Sequence, residues 1–116
     1  MDAAGVLKET RRLIGAGWCR GSDARDASGR PVAPGDPAAA EWSLLGALGV
    51  VAAQSEVELE ELATALAALA GVIADPSLSH WNDEPERTQS AVLETLVRAA
   101  DELRDQRLTV RALSRN

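Results

Sequence analysis

The chain has 116 residues, 46% apolar and 26% charged, with a net charge of −6; this fits one globular domain. No window approaches the roughly 20 uninterrupted apolar residues of a membrane span, and an early acid in "MDAAGVLKETRRL" argues against a secretory leader. A cytoplasmic protein is the expectation. One cysteine, Cys19, and one histidine, His80, leave no intramolecular disulfide and too few soft ligands for a protein-only zinc site. An isoelectric point near 4.7 opposes general attraction to nucleic-acid phosphates.

Asp2 is placed to cap a helix over residues 3–16, whose apolar face is Ala3, Val6, Leu7, Thr10, Leu13 and Ile14. Gly15 and Gly17 end it. Residues 18–36, "WCRGSDARDASGRPVAPGD", lack helical periodicity and form an unusually long connection. Within it, "RDASGRPV" predicts a tight turn: Asp26 accepts backbone hydrogen bonds and Gly29 takes a positive φ, with room for a short β-hairpin.

Asp36 and Pro37 predict the start of a second helix reaching Ala53, burying Trp42, Leu45, Leu48 and Ala52. Its small residues Ser43, Gly46, Ala47 and Gly49 suit close packing of another backbone. "SEVE" at 55–58 reads as a capping box, Ser55 with Glu58, opening a third helix to Ala74. Its stripe is Leu59, Leu62, Leu66, Leu69 and Ile73, and Glu56, Glu58, Glu60 and Glu61 match the helix dipole at its start.

Asp75-Pro76 breaks that helix, and "SHWNDEPERT" follows as a connector with about one turn near Leu78 and Trp81. A fourth helix starts at Pro85 or after a Thr88 cap and turns Val92, Leu93, Leu96, Ala99, Ala100 and Leu103 inward. Residues 104–116 form a basic segment, with Arg104, Arg107, Arg111 and Arg115 against Asp105; this local +3 leaves −9 on the rest. For 107–113 the β-branched Thr109 and Val110 favour a strand or extended tail over a helical extension with its arginines on one face. The whole reads as a mainly α, compact bundle of about four helices with a core over 3–103.

Trp18, Trp42 and Trp81 are the only aromatic residues, each in or beside an irregular segment. The expectation is that residues 17–30 and "SHWNDEPERT" meet. Trp18, Arg20, Asp26, Arg30, Trp81, Asn82, Asp83 and Arg87 are then the candidate ligand-binding residues, with Arg25 beside them; their guanidinium forks suit a small polar or anionic ligand. The competing explanation is structural: Asn82, Asp83 and Thr88 are all helix-start residues, and bonds from Asn82 or Asp83 to backbone groups would weaken the ligand reading. Cys19, His80 and Asp83 can be written as nucleophile, base and orienter, a weak set with nothing to fix Cys19 near the other two. Carboxylates such as Asp23, Asp26, Asp83 and Glu84 match no calcium-loop spacing, and no phosphate-loop or dinucleotide fingerprint occurs. No metal and no cofactor are expected.

The succession "GWCRG", "RDASGRPV", "WSLLGAL" and "WNDEPERTQSAVLETLVRA" resembles a family of small uncharacterised proteins of actinobacteria and their phages. The resemblance covers about residues 5–100. It implies that Gly17, Trp18, Gly46, Ala47, Asn82 and Asp83 are shared features, and that Ser43 stands where relatives often carry cysteine; it implies no activity. Three functions follow as expectations: a non-enzymatic binding or regulatory module for a protein partner or small polar ligand; a small hydrolase or nucleotide-processing enzyme using His80 and Asp83; or a phage-encoded inhibitor of a host or defence protein. The oligomeric state is left open.

Overall fold

The structure, a computed structural model, describes residues 1–54 and 56–114. It contains α1 (Ala3–Ala16), β1 (Ala24–Asp26), β2 (Ala39–Trp42), α2 (Leu44–Ala52), α3 (Leu59–Val72), α4 (Leu78–Asp83) and α5 (Gln89–Ser114). Helices dominate and a short two-stranded antiparallel hairpin is present, both as expected, although the second strand lies beyond the 18–36 loop. None of the described helices is long and apolar enough to cross a membrane.

α1 follows its sequence signals closely. The Asp2 side chain accepts from the Gly5 N–H, and the buried face is the predicted six residues. Thr10 is fully buried because its hydroxyl donates back to the Val6 carbonyl. α1, α3 and α5 pack together over Val6, Leu7, Ile14, Leu69, Val92 and Leu96, each essentially excluded from water. At one end of this bundle the Glu61 carboxylate accepts from the Ala3 N–H at 2.7 Å, so α3 pairs a first-turn donor of α1 that has no partner within its own helix.

Four expectations are corrected. First, residues 37–42 are not the opening of the second helix. Asp36 does accept from the Ala38 N–H, but it caps a turn, and Ala39–Trp42 leave as a strand. Alanine's helix propensity is overridden by pairing: Ala24 faces Trp42 and Arg25 faces Glu41, while Trp42 donates to the Gly17 carbonyl and accepts from Cys19 N–H. The helix starts only after Ser43, whose hydroxyl accepts from Gly46 N–H. Its buried residues are Leu44, Gly46, Ala47, Leu48 and Val51; of the predicted set Leu48 is buried, whereas Leu45 is exposed and Val51 takes the place of Ala52. A helix apolar on all sides gives no phase to choose between them.

Second, α3 begins after Glu58, which makes no side-chain cap bond; Ser55, the other half of the expected capping box, lies outside the described residues. Third, the α3 leucine stripe does not all face inward. Ala65, Ala68 and Leu69 are buried while Leu59 and Leu66 are exposed, because alanines permit closer approach of α1 and α5. Fourth, 107–113 is neither strand nor extended tail: α5 runs unbroken to Ser114. Extending a helix already nucleated by the packed segment 89–103 adds one hydrogen bond per residue without a new nucleation cost, so two β-branched residues do not stop it. Arg115 lies outside the described residues.

Candidate functional site

Gly17 to Gly29 and Ser79 to Thr88 meet, as expected, and Asn82 joins them. α4 is one short turn and a half, opened by Ser77, whose hydroxyl accepts from His80 N–H, and it delivers Asn82 to the interior with no solvent exposure. The Asn82 Oδ1 accepts from Trp18 Nε1 at 2.8 Å and from Leu44 N–H at 3.0 Å; its Nδ2 donates to the Cys19 carbonyl at 3.1 Å and to Asp83 Oδ1 at 3.0 Å. One side chain therefore ties the loop after α1, the first turn of α2 and α4 together. Asp83 Oδ1 also accepts from Gly21 N–H, in a loop where Gly21 takes a positive φ of 79°. These bonds go to the fold itself, and among the described residues no buried side-chain nitrogen or oxygen lacks a partner. The main support for ligand binding through Asn82 is gone.

The arginines behave alike. Arg20 lies over the Trp18 ring at 5.2 Å and donates to the carbonyls of Pro85 and Arg87. Arg25 donates to the Gly29 and Arg20 carbonyls, and Arg87 donates from Nε to the Trp81 carbonyl while its guanidinium stacks 3.9 Å from the Trp81 ring centroid. They lock loops rather than offer open forks to an anion. Asp26 Oδ1 accepts from Ser28 N–H, Ser28 Oγ and Arg30 N–H, with Gly29 at φ 88°, so Asp26 and Arg30 build the predicted turn. The Ser28 hydroxyl, then the backbone donors, hold the Asp26 carboxyl below its ordinary range. No hydrogen bond or ion pair among the described residues joins Asp26 or Arg30 to Trp81. Trp42 plugs the long loop by donating from Nε1 to the Pro34 carbonyl.

The three groups written as a catalytic set do not assemble as one. Cys19 is buried, its Sγ 3.5 Å from the Ser22 carbonyl, and burial pushes its thiol pKa up, opposite to an activated nucleophile. Asp83 serves Gly21 and Asn82. His80 is exposed and pairs instead through Nδ1 with Asp75 Oδ2 at 2.5 Å and through Nε2 with Glu84 Oε1 at 3.7 Å. The bond to Asp75, then its charge and that of Glu84, raise the His80 pKa; the same bond, followed by Ser77 N–H, lowers that of Asp75.

Asp75, His80 and Glu84 each bring one donor atom within 4.8 Å of the others. Of the carboxylates considered from sequence, Glu84 belongs to this trio and Asp23, Asp26 and Asp83 do not. Each imidazole nitrogen already faces a carboxylate, so a protonated ring satisfies the trio as an ion-paired unit.

Sequence reasoning missed what surrounds Trp81. A cleft of about 730 Å³ is lined by Val72, Ala74, Asp75, Trp81, Glu84, Pro85, Glu86 and Arg87. In sequence Asp75 reads as a helix breaker and Glu84 as one of several carboxylates without a calcium-loop spacing, and Glu86 carries no reading of its own; the i, i+4 spacing of His80 and Glu84 was the available signal. Trp81 and Arg87 are candidate residues that the cleft does contain.

Residues 1–102 match the profile of a family of unknown function, DUF6197. No curated protein matches, and no solved structure matches.

Proposed function

Because the chain belongs to the DUF6197 family of unknown function, which supplies no reaction to inherit, we propose from geometry that it is a small non-enzymatic binding module. Its recognition surface is the Trp81 cleft, and its ligand is a cationic side chain on a basic segment of a protein partner. The observation that carries this reading is the lining: three carboxylates, Asp75, Glu84 and Glu86, surround one tryptophan in a concavity of ligand-site size. Arg87, the one cation in the lining, is held over the indole and bonded to the Trp81 carbonyl, and His80 pairs with Asp75 and Glu84; with that ring protonated, three carboxylates against two cations leave one negative charge in excess. The carboxylates around the Arg87-covered indole suit guanidinium or ammonium, and the net charge of −6 steers such a partner inward. The anionic-ligand version has less support, since Arg20, Arg25 and Arg87 donate to backbone carbonyls.

The test is a tryptophan-fluorescence titration of the full chain with a short arginine-rich peptide and a glutamate-rich one. The arginine peptide binds, and Asp75→Asn combined with Glu84→Gln and Glu86→Gln weakens it about 10- to 100-fold, from roughly 0.5–1 kcal/mol per exposed charge. Equal binding by the variant, preference for the glutamate peptide, or no response to either contradicts the proposal.

A further inference from the structure

The far end of α5 carries apolar side chains, Val110 and Leu113, that are exposed among the described residues. Residues 104–114 are all exposed and, at 1.5 Å per residue, extend about 16 Å beyond the last buried position, Leu103. The seam that packs inside the bundle continues into this overhang without a break in phase: Leu96, Leu103 and Val110 recur every seven residues, and Ala99, Gln106 and Leu113 do the same between them. Inside, Leu96, Ala99 and Leu103 are buried; outside, Val110 is 62% and Leu113 70% exposed. Between this seam and α3 lies a mainly apolar groove of about 570 Å³, lined by Thr64, Leu103, Gln106, Val110 and Ser114, with Arg107 and Arg111 on its shoulder.

We infer that the groove takes the α5 overhang of a second copy of this chain, giving a two-fold dimer. Two observations select that occupant. The seam is continuous with the α3 and α5 core packing, so a second overhang laid antiparallel extends the same helix-on-helix layer and buries Val110 and Leu113 of both copies. The charges are complementary between copies. Arg104 and Arg107 already pair with Asp101 and Asp2, so the overhang presents chiefly Arg111, while Glu56, Glu58 and Glu60 are exposed at the start of α3, Glu60 one turn before Thr64 on the groove's rim. Arg111 makes no ion pair among the described residues, and it is the residue placed to reach Glu60 of the other copy. An overhang of this length covers less than the standard ~800 Å² per partner, which sets a weak, concentration-dependent dimer.

Sedimentation velocity of the full chain over a concentration series tests the inference. The expected mass rises from 12.2 kDa towards twice that value as concentration reaches the high-micromolar range, and falls back at raised ionic strength. Val110→Asp with Leu113→Asp keeps the chain monomeric; both positions are exposed, so its circular dichroism and melting stay close to the parent. Arg111→Glu and Glu60→Arg each weaken self-association, and the two together restore it. A chain that stays monomeric throughout the series overturns the inference, as does a dimer that survives the two aspartates or ignores the charge swap.

Discussion

Replacing Asn82 by alanine tests the arrangement that joins the two irregular segments. The substitution removes one acceptor and one donor group from a site with no solvent exposure. Four partners are left behind: Leu44 N–H at the first turn of α2, the half-buried Trp18 Nε1–H, the Cys19 carbonyl, and Asp83 Oδ1, which is exposed and keeps the Gly21 N–H. A buried group without a partner costs roughly 1–3 kcal/mol, and Trp18 recovers part of its share from water, so the sum is about 3–5 kcal/mol. Against a typical total of about 5–15 kcal/mol this is severe, and it lowers Tm by roughly 10–20 °C for a chain of this size. Urea unfolding followed by circular dichroism and by tryptophan emission measures it. Asn82→Asp separates shape from donors: it keeps the acceptor for Trp18 and Leu44 but sets a second carboxylate beside Asp83 and the Cys19 carbonyl. Burial and that neighbour raise the folded-state pKa of the new acid, so the variant loses stability as pH rises from the ordinary carboxylate range through that raised value. A loss below about 1 kcal/mol for Asn82→Ala refutes the reasoning.

Other consequences follow from single positions. A Cβ at Gly46 would collide with the Asp23 carbonyl, so Gly46→Ala destabilises by about 1–3 kcal/mol, whereas Gly49→Ala, with open space around it, stabilises by about 0.5–1 kcal/mol; paired urea curves distinguish them. His80 titrates above its ordinary 6.5 because Asp75 and Glu84 favour the charged ring. Its stabilising contribution is complete below 6.5 and is lost as pH rises through the raised folded value, while that of Asp75, whose pKa is depressed, is lost as pH falls through its folded value. NMR of the single histidine ring reads this directly; Asp75→Asn brings it back towards 6.5, and a parent value at or below 6.5 contradicts the ion-paired trio. Cys19 reacts with a thiol reagent far more slowly in the folded chain than in denaturant, and fast folded-state labelling would show an accessible thiolate.

How far these features were legible in sequence depends on what each one rests on. α1 was readable because its cap, apolar phase and terminal glycines agree, and the Asp26 to Gly29 turn was readable because its bonds are local. β2 was not, since nothing in "AAEW" resists helix; its pairing with β1 and the clamp to Gly17 and Cys19 come from elsewhere in the chain. "WSLLG" did hold the real helix start at Ser43, masked by the stronger-looking Asp36-Pro37. Periodicity identified α3 and α5 but not the phase of α3, where alanine does the packing, nor the reach of α5 beyond its support. The meeting of the Trp18 and Trp81 segments followed from their shared irregularity. The role of Asn82 did not, because a buried asparagine and a capping asparagine look identical in sequence.

Most directly, the binding proposal is tested by amide chemical-shift mapping of the full chain during titration with an arginine-rich peptide. The account predicts shifts concentrated in residues 72–87, with the Trp81 indole among them. Shifts gathered instead on the 18–36 loop with a glutamate-rich peptide, or no localised response to the arginine-rich one, would contradict it.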